Sequence, residues 1–370
     1  MKISEFELRT IHLPLVRPFR TSFGTQTSRE VLVVRVTDSD GNVGWAEDVA
    51  MSEPLYSPEY VAGNLDLIKR FLIPALVSHG EITAEEVGEV LAPFLGAPMA
   101  KAALETAILD AQLRAQKKSL ASYLGATKEK VECGVSVGIA SSIDSLLEEV
   151  GSYIDAGYRR IKLKIEPGWD IEPVRIVRQT WPTIPLQVDA NQAYARGDGE
   201  LLSQLDPFNL LLIEQPLDEH DILGHAELAK KVKTPICLDE SIVSLRAAED
   251  ALALKATTVI NIKPGRVGGY IESKRIHDLC VSEKIPVWCG GMLETGIGRA
   301  ANLALAALPG FTLPGDTSAS SRYFKEDVTN PFVMDDGYLT VPTGPGIGVE
   351  PHLDFLNEIT TTKEIIDGAK

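Results

Sequence analysis

Five charged residues recur along this chain at an almost constant interval. Lys164, Asp189, Glu214, Asp239 and Lys263 are separated by 25, 25, 25 and 24 residues. Each stands inside a short apolar run, where a charge is costly unless it is paired or bound to a metal. Three neighbouring carboxylates repel one another and raise each other's pKa unless a cation lies between them. Oxygen donors of this kind suit a hard divalent ion, Mg²⁺ first, with Mn²⁺ or another divalent ion as a substitute. Asp189, Glu214 and Asp239 are therefore the expected ligands. A substrate carboxylate placed against such a cation has an acidified α-hydrogen. Lys164 and Lys263 are the groups that remove and return that proton, and the nearby Lys162, with the metal, is expected to depress the pKa of Lys164 so that it acts as a neutral base.

The interval itself implies the elements that position these groups. From about residue 131, short apolar runs alternate with helices of about three turns. The runs are 133–139, 160–165, 186–191, 210–215, 236–240, 259–263, 287–291 and 311–313. Eight strand candidates separated by helices predict an α/β fold with a closed parallel barrel. Strand alternation puts Lys162 and Lys164 on one face, with Ile161, Leu163 and Ile165 turned to the helices. Gln187, Asp189 and Asn191 share a face, as do Asn261 and Lys263. Each ladder charge ends its run, at the barrel's C-terminal rim, where active sites of this architecture lie. The lysines fall on strands two and six, opposite each other in a ring of eight, and the acids form an arc between them.

Before the barrel, residues 3–16, 28–37 and 43–48 read as strands, with a hairpin turn at Asp40-Gly41-Asn42. Helical spacing follows at 59–76, with Leu65, Leu67, Ile68, Phe71 and Leu72 on one side. It recurs at 97–117, with Leu104, Ile108, Ala111 and Ala115. The expected organisation is an α+β unit over 1–128, a barrel over 129–320 and an irregular segment over 321–370 that folds back on the first unit.

The remaining composition narrows the function. A net charge of −16 argues against nucleic acid as a partner. No run reaches the length of a membrane span, and the start lacks a signal-peptide core, so a cytosolic, small-molecule enzyme is expected. The four cysteines show no metal-binding or redox spacing, and the six histidines are scattered singly. Gly296-x-Gly298-x-x-Ala301 resembles a dinucleotide fingerprint but lies too late in the strand count for one. It reads instead as a tight barrel loop whose backbone N–H groups face a substrate's distal carboxylate. Phe23 and Tyr56 lie in loops of the first unit that are expected to close over the barrel mouth, and Ser136 and Asn191 are candidate substrate contacts.

These residues resemble the enolase superfamily in its muconate-lactonizing subgroup. The matching segments are Ile161-Lys162-Leu163-Lys164, Val188-Asp189-Ala190-Asn191, Ile213-Glu214-Gln215-Pro216, Leu238-Asp239-Glu240-Ser241 and Asn261-Ile262-Lys263. The resemblance covers essentially the whole chain. It implies a modified TIM barrel, (β/α)₇β, with an α+β N-terminal capping domain completed by the C-terminal tail. Pro18 to Gly24, Gly134 to Gly138 and the run Trp288 to Arg299 resemble the o-succinylbenzoate synthases and N-succinylamino-acid racemases. That narrower resemblance implies a carboxylate substrate, menaquinone biosynthesis for the synthase reaction, a homo-oligomer and a substrate contact at Met292. It carries Asp189, Glu214 and Asp239 over as metal ligands, and Lys164 and Lys263 as the acid/base pair. Ala301 departs from the His expected in many relatives.

Overall fold

A computed structural model describes residues 1–368, so the last two residues of the 321–370 segment lie outside the described residues. The chain opens with three antiparallel strands, β1 (Ile3–Thr21), β2 (Gly24–Asp38) and β3 (Val43–Asp48). β1 and β2 run longer than the sequence pattern indicates, while β3 matches it, and the β1–β2 hairpin turns only at Ser22-Phe23. The second hairpin forms as expected. Asp38 Oδ1 accepts from the N–H groups of Asp40 (2.9 Å) and Asn42 (2.8 Å), and Gly41 has φ +85°, a region that favours glycine.

Against this sheet packs the helix Pro98–Ala115. Its buried residues circle the helix instead of forming the single stripe expected, because it lies between β3 on one side and the barrel segment Pro264–Val267 on the other. Ala115 is exposed at its end. The 61–79 region is interrupted by a π-type turn at Ile68–Leu72, which shifts the helical phase and leaves Phe71 exposed.

After the short strand β4 (Lys130–Glu132) come seven parallel strands: β5 (Gly134–Val137), β6 (Arg160–Lys164), β7 (Leu186–Asp189), β8 (Ile213–Glu214), β9 (Ile236–Leu238), β10 (Val259–Ile262) and β11 (Val287–Cys289). They hydrogen-bond in sequence order from β5 to β11. The expected eighth strand does not form as a regular strand. Phe311 bridges to Val287 and Gly315 to Cys133, both parallel, so the ring closes through isolated pairs. Pro309, Gly310, Pro314 and Gly315 flank or interrupt this run, and a proline cannot donate to a ladder. Leu212, Cys237, Val259 and Trp288 fill the barrel interior, while Ile161, Leu163 and Ile165 join the main core.

The C-terminal region returns twice. β12 (Tyr338–Thr340) pairs with β4, and β13 (Thr360–Asp367) pairs antiparallel with the outer edge of β1. The four cysteines are free and buried. No helix among the described residues is long and apolar enough to cross a membrane.

Candidate active site

The C-terminal ends of β6 to β10 converge on a buried network of opposite charges. Lys164 Nζ donates to Asp189 Oδ2 and Asn191 Oδ1, both at 2.6 Å. On the opposite wall, Lys263 Nζ donates to Asp239 Oδ2 (2.7 Å) and Tyr56 Oη (3.0 Å). Between them, Glu214 accepts from Lys162 Nζ (3.0 Å) and Asn261 Nδ2 (2.8 Å). The two lysines are 7% and 6% exposed, so the site is almost closed beneath the capping domain.

The cover comes from two loops. Ser22, at the tip of the first hairpin, donates to the carbonyl oxygens of Ala190 (3.2 Å) and Asn191 (3.3 Å). Tyr56 reaches further in and donates to Asp239 Oδ1 at 3.2 Å. Its ring lies 4.6 Å from Lys263 Nζ and 6.2 Å from the Phe23 ring. Met292 is buried with Val49, Met51, Tyr56 and Met99, and Phe23 packs on that cluster. Phe23, Tyr56 and Met292 thus line one apolar wall beside Lys263.

Lys162 is placed differently from the expectation. It bonds to Asp316 Oδ2 (2.7 Å) and Glu214, and lies 3.3 Å from Asp189, so three carboxylates neutralise it. Burial alone lowers its pKa, but Asp316, Glu214 and Asp189 outweigh burial and raise it. Ser136 is likewise turned to Asp316, with Oγ 3.4 Å from both carboxylate oxygens, below the lysine pair. Burial pushes Asp189 up, and Lys164 and Lys162 more than reverse this, holding it well below the usual carboxylate range. For Lys263, burial is outweighed by Tyr56, Glu240 and Glu214, which leave its pKa raised.

Sequence reasoning missed two further cations. Arg266 pairs with Asp239 Oδ1 through Nη1 and donates through Nη2 to the Asn261 carbonyl at 2.6 Å. Arg160 Nη2 donates to Asp316 Oδ1 at 2.9 Å. Arg160 was detectable by its alternation with Lys162 and Lys164 in β6. Arg266 was detectable only as a charge three residues after Lys263.

These cations change the electrostatic expectation. The acids are held by Lys162, Lys164, Lys263 and Arg266, and no group of three metal-ligating side chains converges on one point among the described residues. The donor set still fits a hard divalent ion. Its carboxylates end three adjacent strands, and two buried oxygens beside them, Glu240 Oε2 and Asn261 Oδ1, accept no hydrogen bond.

The glycine loop is also corrected. The N–H groups of Thr295 and Gly298 donate to Glu47, and that of Gly296 donates to Asp327 Oδ1 at 2.7 Å. The protein's own carboxylates therefore occupy this helix start. A surface cleft of about 740 Å³ lies between the helix Ile143–Asp155 and residues 319–334, and none of the ladder residues lines it.

Comparison with known proteins agrees with this architecture. Residues 5–125 match the mandelate racemase / muconate lactonizing enzyme N-terminal domain, and residues 145–355 match the enolase C-terminal domain-like family. The chain is 60% identical to the N-succinylamino acid racemase of Amycolatopsis sp, over 98% of this chain and 99% of that protein. It is 48% identical to the o-succinylbenzoate synthase of Geobacillus kaustophilus, over 93% and 92%. The solved enolase superfamily member from Listeria innocua Clip11262 superposes with a TM-score of 0.96 at 42% identity, covering 100% of both chains. The chain belongs to the mandelate racemase / muconate lactonizing enzyme family of the enolase superfamily.

Proposed function

We propose that this enzyme forms and quenches an enediolate at the α-carbon of a carboxylate substrate. It acts as an o-succinylbenzoate synthase on 2-succinyl-6-hydroxy-2,4-cyclohexadiene-1-carboxylate, and the same site racemises N-succinyl amino acids. The observation that carries this reading is the pair of buried lysines, Lys164 at the end of β6 and Lys263 just after β10. Each is held by its own carboxylate, Asp189 or Asp239, on opposite walls of one barrel.

Superfamily members generally use Mg²⁺, and Asp189, Glu214 and Asp239 are the residues that would hold it here. The cation would supply positive charge that makes the α-hydrogen more acidic. In dehydration, Lys164 removes the α-proton and then delivers a proton to the departing hydroxide, so that water leaves from the same face. Lys263, kept cationic by its surroundings, stabilises the negative charge that develops. In racemisation, one lysine removes the proton and the other delivers one to the opposite face. The cover formed by Ser22, Phe23, Tyr56 and Met292 excludes water and sets the space for the rest of the substrate.

A second reading, a dedicated N-succinylamino acid racemase, is favoured by the 60% identical relative of that name. The two are separated by kcat/KM for the cyclohexadiene precursor against a panel of N-succinyl amino acids. A high value for the precursor supports the synthase assignment. Turnover of N-succinyl amino acids alone supports the dedicated racemase, and turnover of neither class contradicts both.

A further inference from the structure

Asn191 stands between Lys164 and Glu240, and its amide is fixed from both ends. Oδ1 accepts from Lys164 Nζ at 2.6 Å, while Nδ2 donates to Glu240 Oε1 at 2.9 Å. An ammonium group only donates and a carboxylate only accepts, so the amide has one permitted orientation. The rest of the residue is already constrained. Its backbone has φ +42°, a left-handed conformation that a short polar side chain tolerates. Its N–H donates to Asp189 Oδ1 at 3.0 Å. Exchange of the amide oxygen and nitrogen is the remaining freedom, and Glu240 removes it.

Among the described hydrogen bonds, the one that Glu240's side chain accepts is that from Asn191. It is 1% exposed, and its second oxygen accepts no hydrogen bond. A buried carboxylate with one unsatisfied oxygen is destabilising, so its retention calls for a role beyond packing. The opposite lysine makes no hydrogen bond to Glu240 and feels it only through its charge, which Glu240→Gln removes as well. Lys263 is aimed by Asp239 and Tyr56.

We propose that Glu240 is a positioning residue for Lys164. By locking the Asn191 amide with its carbonyl toward Nζ, it aims that lysine at one face of the substrate α-carbon. Without Glu240 the amide is held from one end only, and turning it would set its NH₂ group against the ammonium and misplace Nζ. The proposal rests on the two-lysine reading above and adds an asymmetry to it: loss of the Glu240 acceptor misaims Lys164 and leaves the aim of Lys263 intact.

The test is α-hydrogen exchange of the separate L and D enantiomers of an N-succinyl amino acid in D₂O with Mg²⁺, followed by ¹H NMR. The enantiomer whose exchange is lost in Lys164→Ala is the one that Lys164 serves. Glu240→Met is expected to slow that enantiomer roughly ten- to a hundredfold, the range for a misaimed catalytic group. The other enantiomer should slow less than about threefold, which is within packing effects. Glu240→Gln, which keeps a carbonyl acceptor for Nδ2, is expected to restore most of the lost rate. In an Asn191→Ala background the Glu240→Met effect should fall below about twofold, because the two act through one contact. Equal slowing of both enantiomers, or an undiminished effect in the Asn191→Ala background, overturns the positioning role. If Glu240→Met does not fold, a Glu240→Gln protein that has lost both faces equally overturns it as well. Absence of exchange of either enantiomer in the parent protein refutes the two-lysine reading instead.

Discussion

At the scale of single residues, the two lysines differ in their partners, and their loss should differ in consequence. Lys263→Ala removes the cation beside Tyr56 and Asp239. It is expected to abolish racemisation and to slow dehydration by roughly 10²–10⁴-fold, the usual contribution of a positioned acid/base group. Mg²⁺ binding, followed by calorimetry, should survive; dehydration at the parental rate would contradict the assigned role. Asp239→Asn should raise the Mg²⁺ concentration needed for half-maximal activity, and an unchanged Mg²⁺ titration would remove Asp239 from the ligand set. The ladder was readable in the sequence because charges inside apolar runs are costly, and a constant spacing turns five such costs into one pattern. Arg266 and the Arg160–Asp316 pair were not readable in this way. Arg266 follows its strand instead of ending it, and Asp316 meets Arg160 only where the ring closes, 156 residues away in sequence.

At the scale of elements, capping-domain side chains hold barrel helices by their N-termini. Glu105 accepts from the N–H of Tyr270 at 2.6 Å and of Ile271 at 3.2 Å, at the start of the helix Tyr270–Glu283. Glu47 does the same for the helix Gly296–Ala306. The barrel makes room with glycine: a Cβ on Gly269, which has φ +136°, would lie 2.1 Å from Glu105 Oε1. Gly269→Ala is therefore expected to cost roughly 1–3 kcal/mol, read from denaturant unfolding; unchanged stability would show that the contact yields easily. Burial raises the Glu105 carboxyl from its ordinary 4.5 to about 8. Across that window the folded chain keeps a proton that the unfolded chain has released, so stability falls as pH rises from about 4.5 to about 8. Glu105→Gln keeps the acceptor and removes the titration. It should flatten the decline of thermal midpoint with pH over that window, and superimposable profiles would contradict the linkage. Strand–helix alternation implied helices between the runs but not these contacts, because Glu105 and Glu47 lie 165 and 248 residues from the N–H groups they accept from. It also counted an eighth strand at 311–313, where prolines and glycines reduce the strand to isolated bridges.

At the scale of the whole molecule, the site belongs to neither layer alone. The barrel supplies the lysines and carboxylates, and the capping unit supplies Tyr56 and the Ser22–Phe23 tip that cover them. The tail contributes by position: β13 covers the outer edge of β1, the strand that leads into that tip. Ending the chain after Glu358 leaves that edge open, which promotes edge-to-edge association and loosens the cover. Such a protein is expected to have a lower thermal midpoint and a higher KM, with kcat less affected; equal loss of both would place the tail's role elsewhere. The layered architecture was legible from the change at about residue 131, from a strand meander with helices to regular strand–helix alternation. The depth to which Tyr56 enters the site was not, because a loop residue carries no periodicity to show where it points.

The central claim is that Lys164 and Lys263 address opposite faces of one α-carbon. The most direct measurement is ¹H/²H exchange at the α-carbon of both enantiomers of an N-succinyl amino acid, in D₂O with Mg²⁺. The expected result is exchange of both enantiomers, with loss of one in Lys164→Ala and of the other in Lys263→Ala. Loss of the same enantiomer in both variants, or well-folded parent protein that exchanges neither enantiomer, would contradict it.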